Sequence, residues 1–584
     1  MCSIIGYYGK NLAAPILVKG LQKMEYRGYD SVGVATKSDS EILVKKGVGR
    51  VVEVNTKVQL DDLPGMVGIG HTRWATHGEV SHKNAHPHPS NSGEIAIVHN
   101  GIVENYEEIK EALLSKGFKF QSDTDTEVVA NLIQSNFDEL KDVKQTMIKT
   151  VSQLKGHFAF VVIFQDGTLA AARFHEPLIV GIGKDSHYLS SDVLGFIEKT
   201  DDVIYLDNED FVIINKNGLN VSKFDGSKSE YQITKVSKEF ADVYKGDYAH
   251  FTLKEISEQP TTIIQAGDEK RIDDVTDLIS KAKNLYITGS GTSYNAARIT
   301  KYLFSKYAKL KIEPIISSEL PFSPDSIEKD STLIAISQSG ESADVLEAVK
   351  IAKESDSKIL SIVNHLNSSL SQESDSVINL NCGPEIGVAA TKSFTSQLAI
   401  LYKITNKICD QCMNLNWEKI SDGISKVLED NSKIKELAKD LKEVSDIYIL
   451  GRGIHFPIAK EAALKLKELT YIHAEGIPGG ELKHGSLALM DSNVYVIIIN
   501  PDDSTYQDTL NSANEIKARG AKIIGISNKS NSVYDYWIEI PEMDEVTYPL
   551  IEIIPIQLLA YFAALEKDTD PDYPRNLAKS VTVK

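Results

Sequence analysis

What constrains this chain most is a self-similarity in its second half. The segment Asn284-Leu-Tyr-Ile-Thr-Gly289-Ser-Gly291 returns as Asp446-Ile-Tyr-Ile-Leu-Gly451-Arg-Gly453, and Ile359-Leu-Ser-Ile-Val-Asn364 returns as Ile523-Ile-Gly-Ile-Ser-Asn528. Gly289 and Gly451 stand 162 residues apart, and Ile359 and Ile523 stand 164 apart. Two matches in the same order at nearly one offset indicate a duplicated subdomain. Each copy alternates apolar strand, glycine turn and helix, the pattern of a parallel, doubly wound α/β sheet. We expect the first copy over about 251–424 and the second over about 425–567, with a tail over 568–584. Gly289-Ser-Gly291 imitates a dinucleotide loop, and Glu319 imitates the acid that binds ribose. Tyr294 and Phe456, however, fill the position where close helix packing demands glycine or alanine, so NAD is excluded.

The first part, to about Val236, has a different grain. Short alternating or apolar segments at Ser3–Tyr8, Gly33–Thr36, Val67–His71, Glu94–His99, Phe158–Phe164, Leu169–Arg173 and Phe211–Asn215 read as strands. Helical stretches at Pro15–Met24 and Thr126–Ile133 interrupt them, giving an α+β domain over 1–238. A charged, aperiodic linker follows over 239–250, too short to hold a regulatory module. At about 150 residues per domain, 584 residues accommodate this plan.

The formal charge of −19 repels phosphate backbones and anionic lipid, which argues against a nucleic-acid or membrane-surface role. The amino terminus has no signal-peptide pattern, and apolar runs such as Val494–Ile499 are strand-sized, so a cytosolic protein is expected. Four cysteines are too few for a disulfide framework; Cys409 and Cys412 lack a second pair to complete a zinc site and are expected as structural thiols. His86-Pro87-His88 reads as a stiff extended loop, and no metal site is expected.

Chemistry concentrates in two sets of residues. Cys2 behind a removable Met1 would join a thiol to a free α-amine, whose reference pKa of about 7.7–8.0 suits it to act as that thiol's base. Alone, a cysteine in second place is equally compatible with no role. Its neighbours favour the nucleophile: Asn100-Gly101 after an apolar strand suits an oxyanion, Arg73 suits a carboxylate, and the acids of Ser122–Glu127 suit an ammonium or a helix start. In the second half, Ser337-Gln338-Ser339-Gly340-Glu341-Ser342 runs from a strand into a helix beginning near Ala343, which gathers hydroxyls and N–H groups around a phosphate monoester. A serine N-cap alone would need only one of these hydroxyls. Glu461, Lys465 and Glu468 share one helix face, as a solvated charge pair or a site, with His484 after a Pro-Gly-Gly bend. Composition makes the tail holding Lys579 an ordinary frayed end.

Met1–Gly6, Tyr26–Ser31, His71–Gly78, Asn84–Pro89, Val98–Gly101 and Thr124–Glu127 resemble the glutaminase domain of the glucosamine-6-phosphate synthase family. Gly291–Asn295, Ser337–Glu341, Gly387–Ala389, Glu461–Glu468, Gly480–Gly485 and Asn576–Val583 resemble that family's tandem sugar isomerase domains, so the likeness covers essentially the whole chain. The resemblance implies an N-terminal nucleophile fold with αββα layers followed by two doubly wound isomerase domains. It implies that Cys2 attacks glutamine, that Asn100 and Gly101 hold the oxyanion, and that Arg73 and Asp125 bind the α-carboxylate and α-amine. Thr76 and His77 then lie on a closing loop and Trp74 gates ammonia passing to the isomerase. Lys579 forms an imine with C2 of fructose 6-phosphate, Glu468 moves the proton from C1 to C2, Lys465 supports it, and His484 assists ring opening in a neighbouring subunit. Thr292, Ser293, Ser337, Gln338, Ser339 and Ser342, with Val388 and Ala578, hold the sugar phosphate; Ser342 replaces the family's usual threonine and keeps the hydroxyl. The implied reaction uses glutamine and fructose 6-phosphate, makes glucosamine 6-phosphate and glutamate, needs no cofactor, and proceeds in a homodimer. The rival readings are a related sugar-isomerase deaminase and a sensor without turnover.

Overall fold

The structure is a computed structural model and describes residues 2–39, 41–75, 78–236 and 245–582. It divides into two compact units, Met1–Val243 with Ser580–Lys584, and Tyr244–Lys579. The linker expected over 239–250 lies partly outside the described residues.

The first unit is built on two antiparallel sheets of eight and six strands. In the larger, Ser3–Tyr8 lies between Val67–Arg73 and His187–Ser190. In the smaller, Ile95–Val103 pairs with Gly156–Phe164 over its full length. One face of each strand carries the residues that meet between the sheets, among them Ile4, Ile69, Val98, Val161 and Val180, all fully buried. Ala13–Met24 covers the outer face of the large sheet, and Asp125–Leu140 with Val143–Gln153 covers the small one. The layers are therefore αββα, as expected. Glu41–Val48 is a strand the sequence conceals, because its Lys45, Lys46 and Gly47 break the apolar alternation of an edge strand.

The second unit holds two five-stranded sheets in which every pairing is parallel. Numbered along the chain within each copy, both sheets run in the order 2-1-3-4-5. Strand 1 is Leu285–Gly289 in the first copy and Asp446–Gly451 in the second. In this topology the chain leaves strands 1 and 3 in opposite directions, so a crevice opens between them at their carboxyl ends. A single core joins the copies through Lys392–Ile408, His455–Thr470 and Ile553–Glu566.

Two expectations need correction. The longest apolar run is not strand-sized: Ile553–Glu566 is apolar on nearly all its faces because the core surrounds it, with Ile553, Ile554, Leu559 and Ala563 fully buried. Cys409 and Cys412 are not separate thiols but a disulfide, reached because Asp410 and Gln411 both turn left-handed past the end of the helix Lys392–Ile408.

Candidate active sites

In the first unit Cys2 stands at the start of the central strand, beside the carboxyl end of its neighbour Val67–Arg73. The Trp74 N–H donates to the Cys2 Sγ at 3.1 Å. Burial pushes the thiol up, while the Trp74 N–H and the Arg73 guanidinium pull it down. Asn100 Nδ2 donates to the Cys2 carbonyl at 3.1 Å, and the Asn100 Oδ1 is 3.1 Å from His71 Nε2, which fixes the amide beside Cys2. Burial holds His71 down to about 3, so its ring is neutral. Gly101 sits at φ +100°, and a Cβ there would meet the His157 carbonyl oxygen at 2.0 Å. Only glycine fits, and its N–H stays next to Asn100.

Arg73 is buried, and its guanidinium donates to the Glu79 and Gly78 carbonyls at 3.2 Å each. Asp125 opens the helix Asp125–Leu140, whose cap is Thr124, and accepts from the Val103 N–H at 2.9 Å. Trp74 meets Tyr29 edge to face at 5.6 Å, and Asp30 accepts from the Ala75 N–H at 2.9 Å. Thr76 and His77 lie outside the described residues.

In the second unit Thr292 and Ser293 begin the helix after strand 1, while Ser337 ends strand 3, Thr332–Ser337, and leads to the helix Ala343–Glu354. Both sets flank the crevice at the switch point. The Ser337 Oγ accepts from the Gly340 N–H at 3.0 Å and lies 3.2 Å from the Ser342 Oγ. Ser339 accepts from the Glu341 N–H at 3.2 Å, and the Gln338 carbonyl accepts from the Asn364 N–H at 3.1 Å. Ser342 occupies the N-cap but its side chain makes no capping bond, so the simple helix-cap explanation of the serines fails.

Glu461 and Lys465 are fully buried, which removes the solvated-pair reading. Lys465 Nζ lies 2.6 Å from Glu468, 3.4 Å from Glu461 and 3.2 Å from the Thr292 hydroxyl. Glu461 accepts from Thr292 at 2.9 Å and from Asn295 at 2.8 Å, binding the second copy's helix to the first copy's. Burial pushes the Glu468 carboxyl up, opposed by Lys465.

The tail is not frayed at Lys579. Its Nζ donates to Glu385 at 2.5 Å and to the Gly387 carbonyl at 2.8 Å, and its side chain is only 5% exposed. Glu385 also accepts from the Thr391 and Ser393 N–H groups. Despite burial, Lys579 and these donors hold its carboxyl well below the usual range. Val388 is buried and donates its N–H to the Asp572 carbonyl at 3.1 Å; Ala578 is half-buried. His484 stands exposed and makes no hydrogen bond or ion pair among the described residues, so this chain does not bring it to Lys465, Glu468 or Lys579.

Sequence reasoning missed Glu385 and Asn295, and it missed the inequality of the copies. Register aligns Thr332 with Tyr495 as partners of Leu285 and Ile447. Counting onward equally, Asp503 takes the place of Gly340 and Thr505 that of Ser342. His455 is buried beside the second crevice, with Nε2 at 2.7 Å from Asp503 and Nδ1 at 2.9 Å from Glu552. Conversely, at the 162-residue offset the buried Ile299 and Leu303 hold the places of Glu461 and Lys465. One copy carries the hydroxyl crevice and the other the charged helix.

Comparison with known proteins finds one family in the first unit and a second family twice in the second unit. The chain matches the SIS domain family over 278–406 and 440–567 and a glutamine amidotransferase domain family over 71–197. It is 41% identical over 598 residues to glutamine–fructose-6-phosphate aminotransferase [isomerizing] of Pyrococcus horikoshii and 42% identical over 603 residues to the protein of that name from Thermococcus kodakarensis, covering 100% of both chains in each case. The C-terminal domain of glucosamine-fructose-6-phosphate aminotransferase from Francisella tularensis superimposes with a TM-score of 0.51 at 35% identity, over 56% of this chain and 100% of that one. With full-length identity at this level, both halves accounted for and two isomerase copies in tandem, the chain belongs to the glutamine–fructose-6-phosphate aminotransferase (isomerizing) family.

Proposed function

We propose that this chain converts fructose 6-phosphate and glutamine to glucosamine 6-phosphate and glutamate, with the two half-reactions divided between its two units. In the first, removal of Met1 frees the Cys2 amine to take the thiol proton, and the thiolate attacks the glutamine amide carbon. The Asn100 amide and Gly101 N–H stabilise the resulting oxyanion. Ammonia leaves, and water releases glutamate from the thioester. Arg73 and Asp125 grip the amino-acid end of glutamine, Thr76 and His77 close over it, and Trp74 gates the ammonia.

In the second unit the hydroxyls of Thr292, Ser293, Ser337, Ser339 and Ser342, with Gln338, Val388 and Ala578, hold the sugar phosphate. Lys579 gives its proton to water and adds to C2 of the ketose; the carbinolamine loses its hydroxyl as water to form the imine, and ammonia adds to that imine and releases the lysine amine. Glu468 then takes a proton from C1 and returns it to C2, with Lys465 holding that carboxylate. The observation that carries this reading is that a lysine five residues before the chain end is not solvated but buried against Glu385 and the Gly387 carbonyl.

His484 is exposed, and in this reading it serves the site of a second subunit, which makes the enzyme a homodimer. In this reading the enzyme, with its charge of −19 and its small-metabolite substrates, acts in the cytosol, away from nucleic acid and membranes. The test is a product assay with glutamine and fructose 6-phosphate. Glucosamine 6-phosphate formed in step with glutamate supports the reading, and glutamate release without amino sugar in the presence of fructose 6-phosphate refutes it.

A further inference from the structure

The helix Phe251–Ser257 is the first element after the linker, and it reaches the tail in two places. At its start the Phe251 and Thr252 N–H groups donate to the Asp572 carboxylate at 2.9 and 2.8 Å. One turn later Glu255, 2% exposed, points at the segment Glu385–Gly387. Its Oε1 accepts from the Ile386 N–H at 2.5 Å and the Gly387 N–H at 3.2 Å. The opposite side of the same segment holds Lys579, through the Glu385 carboxylate and the Gly387 carbonyl. Glu255 Oε2 is buried without a hydrogen-bond partner among the described residues. The approach is tight, since a Cβ on Gly387 would stand 2.9 Å from that oxygen.

We propose that Glu255 is a positioning residue for Lys579: it fixes the 385–387 segment from behind, so that the Glu385 carboxylate and the Gly387 carbonyl on the far side hold the amine in place. The inference rests on the role given to Lys579 above. The charges around Glu255 support it. Glu385 and Lys579 lie across the segment, Lys392 comes from the helix Lys392–Ile408 and is paired with Glu258 at 2.6 Å, and the Cys382 thiol lies nearby. Burial and the Glu385 charge push the Glu255 carboxyl up to about 8. Below that pH the segment carries one negative charge, matched to one ammonium. As pH rises through it, Glu255 ionises and repels Glu385, which displaces the segment that holds the amine and slows imine formation.

The experiment traps the imine in the full-length protein with fructose 6-phosphate and borohydride across the pH range, quantifying the Lys579 adduct by peptide mass spectrometry beside the kcat of sugar isomerisation. Calorimetric melting of the second unit reports folding. Glu255→Ala is expected to lower both adduct and kcat by about tenfold or more, a loss of transition-state stabilisation with KM little changed. Glu255→Gln keeps the shape and the acceptor but cannot ionise; it is expected to restore most of that loss and to abolish the wild-type decline above pH about 8. A wild-type adduct at Lys579 that neither variant alters in yield or pH profile overturns the role of Glu255 alone. A Glu255→Gln protein that keeps the wild-type alkaline decline does the same. Absence of any Lys579 adduct in the wild type overturns the imine reading together with what rests on it.

Discussion

Replacing Lys465 by methionine keeps the volume of the side chain and removes its charge from between Glu461 and Glu468. Removing one member of a buried ionic group costs ~3–5 kcal/mol, because the charge left behind is uncompensated. Here the lower end applies. Glu461 retains Thr292 and Asn295 as donors, and Glu468, with its side chain 19% exposed, can neutralise itself by taking up a proton. At about 2 °C per kcal/mol, the figure for the larger domains, the unfolding transition of the second unit should fall by ~6 °C. That protonation is the informative part. Burial already raises the Glu468 carboxyl and the Lys465 ammonium opposes the rise, so its loss moves the pKa further up. If Glu468 must be ionised to take the C1 proton, the acid limb of the isomerisation rate shifts to higher pH. Activity is then lost at neutral pH and partly regained in alkali, in kcat more than KM, since the base acts on bound sugar. The assay is conversion of fructose 6-phosphate to the aldose without glutamine, followed across pH, with calorimetry alongside. An acid limb that stays in place in a protein destabilised as expected would show that Glu468 is not the base or that Lys465 does not govern it.

Cys2→Ala should abolish glutamate release and leave sugar isomerisation intact; glutaminase activity in that variant would refute the nucleophile. Gly340→Ala should raise the KM for fructose 6-phosphate about tenfold or more, since φ is +67° and the new Cβ would stand 2.0 Å from the Ser368 Oγ; an unchanged KM would take the loop out of phosphate binding. His455, raised to about 10 by Glu552 and Asp503 against the effect of burial, is charged in the fold and neutral in the unfolded chain above its ordinary pKa. Its contribution is full below pH about 6.5 and is lost as pH rises to about 10, so the melting temperature should fall across that window and His455→Gln should flatten the slope; an equal slope in the variant would refute the assignment. The fragment 1–238, with its own buried core, should hydrolyse glutamine without any sugar, and a folded but inactive fragment would refute a complete site there.

The duplication, the sheet classes and most strands were legible because they depend on neighbours in sequence. Ser3–Tyr8 and Thr332–Ser337 announce themselves by apolar runs, and the serine loop by its position after the second of these. The buried carboxylates were not. Glu385 lies in an aperiodic Gly-Pro-Glu-Ile-Gly loop and gains its meaning from a lysine 194 residues away. Glu255 sits among charged residues on a seven-residue helix, where burial leaves no pattern. His455 reads as a surface residue until Asp503 and Glu552 close around it. Glu461 and Lys465 were visible as a helix face, but whether water or another helix met that face was decided by Thr292 and Asn295 in the other copy.

The unequal division between the two copies bears on how such a chain can vary over generations. A tandem duplicate is ordinarily insurance, since either half can drift while the other works. Here each copy has given up what the other keeps: an Asp503–His455 pair stands where one crevice would carry its serine loop, and Ile299 and Leu303 have erased one charged face. The halves are therefore bound to a common fate. Neither can be excised, exchanged with a foreign relative or allowed to decay without losing the reaction, and the helices joined by Thr292, Asn295 and Glu461 must change together or not at all.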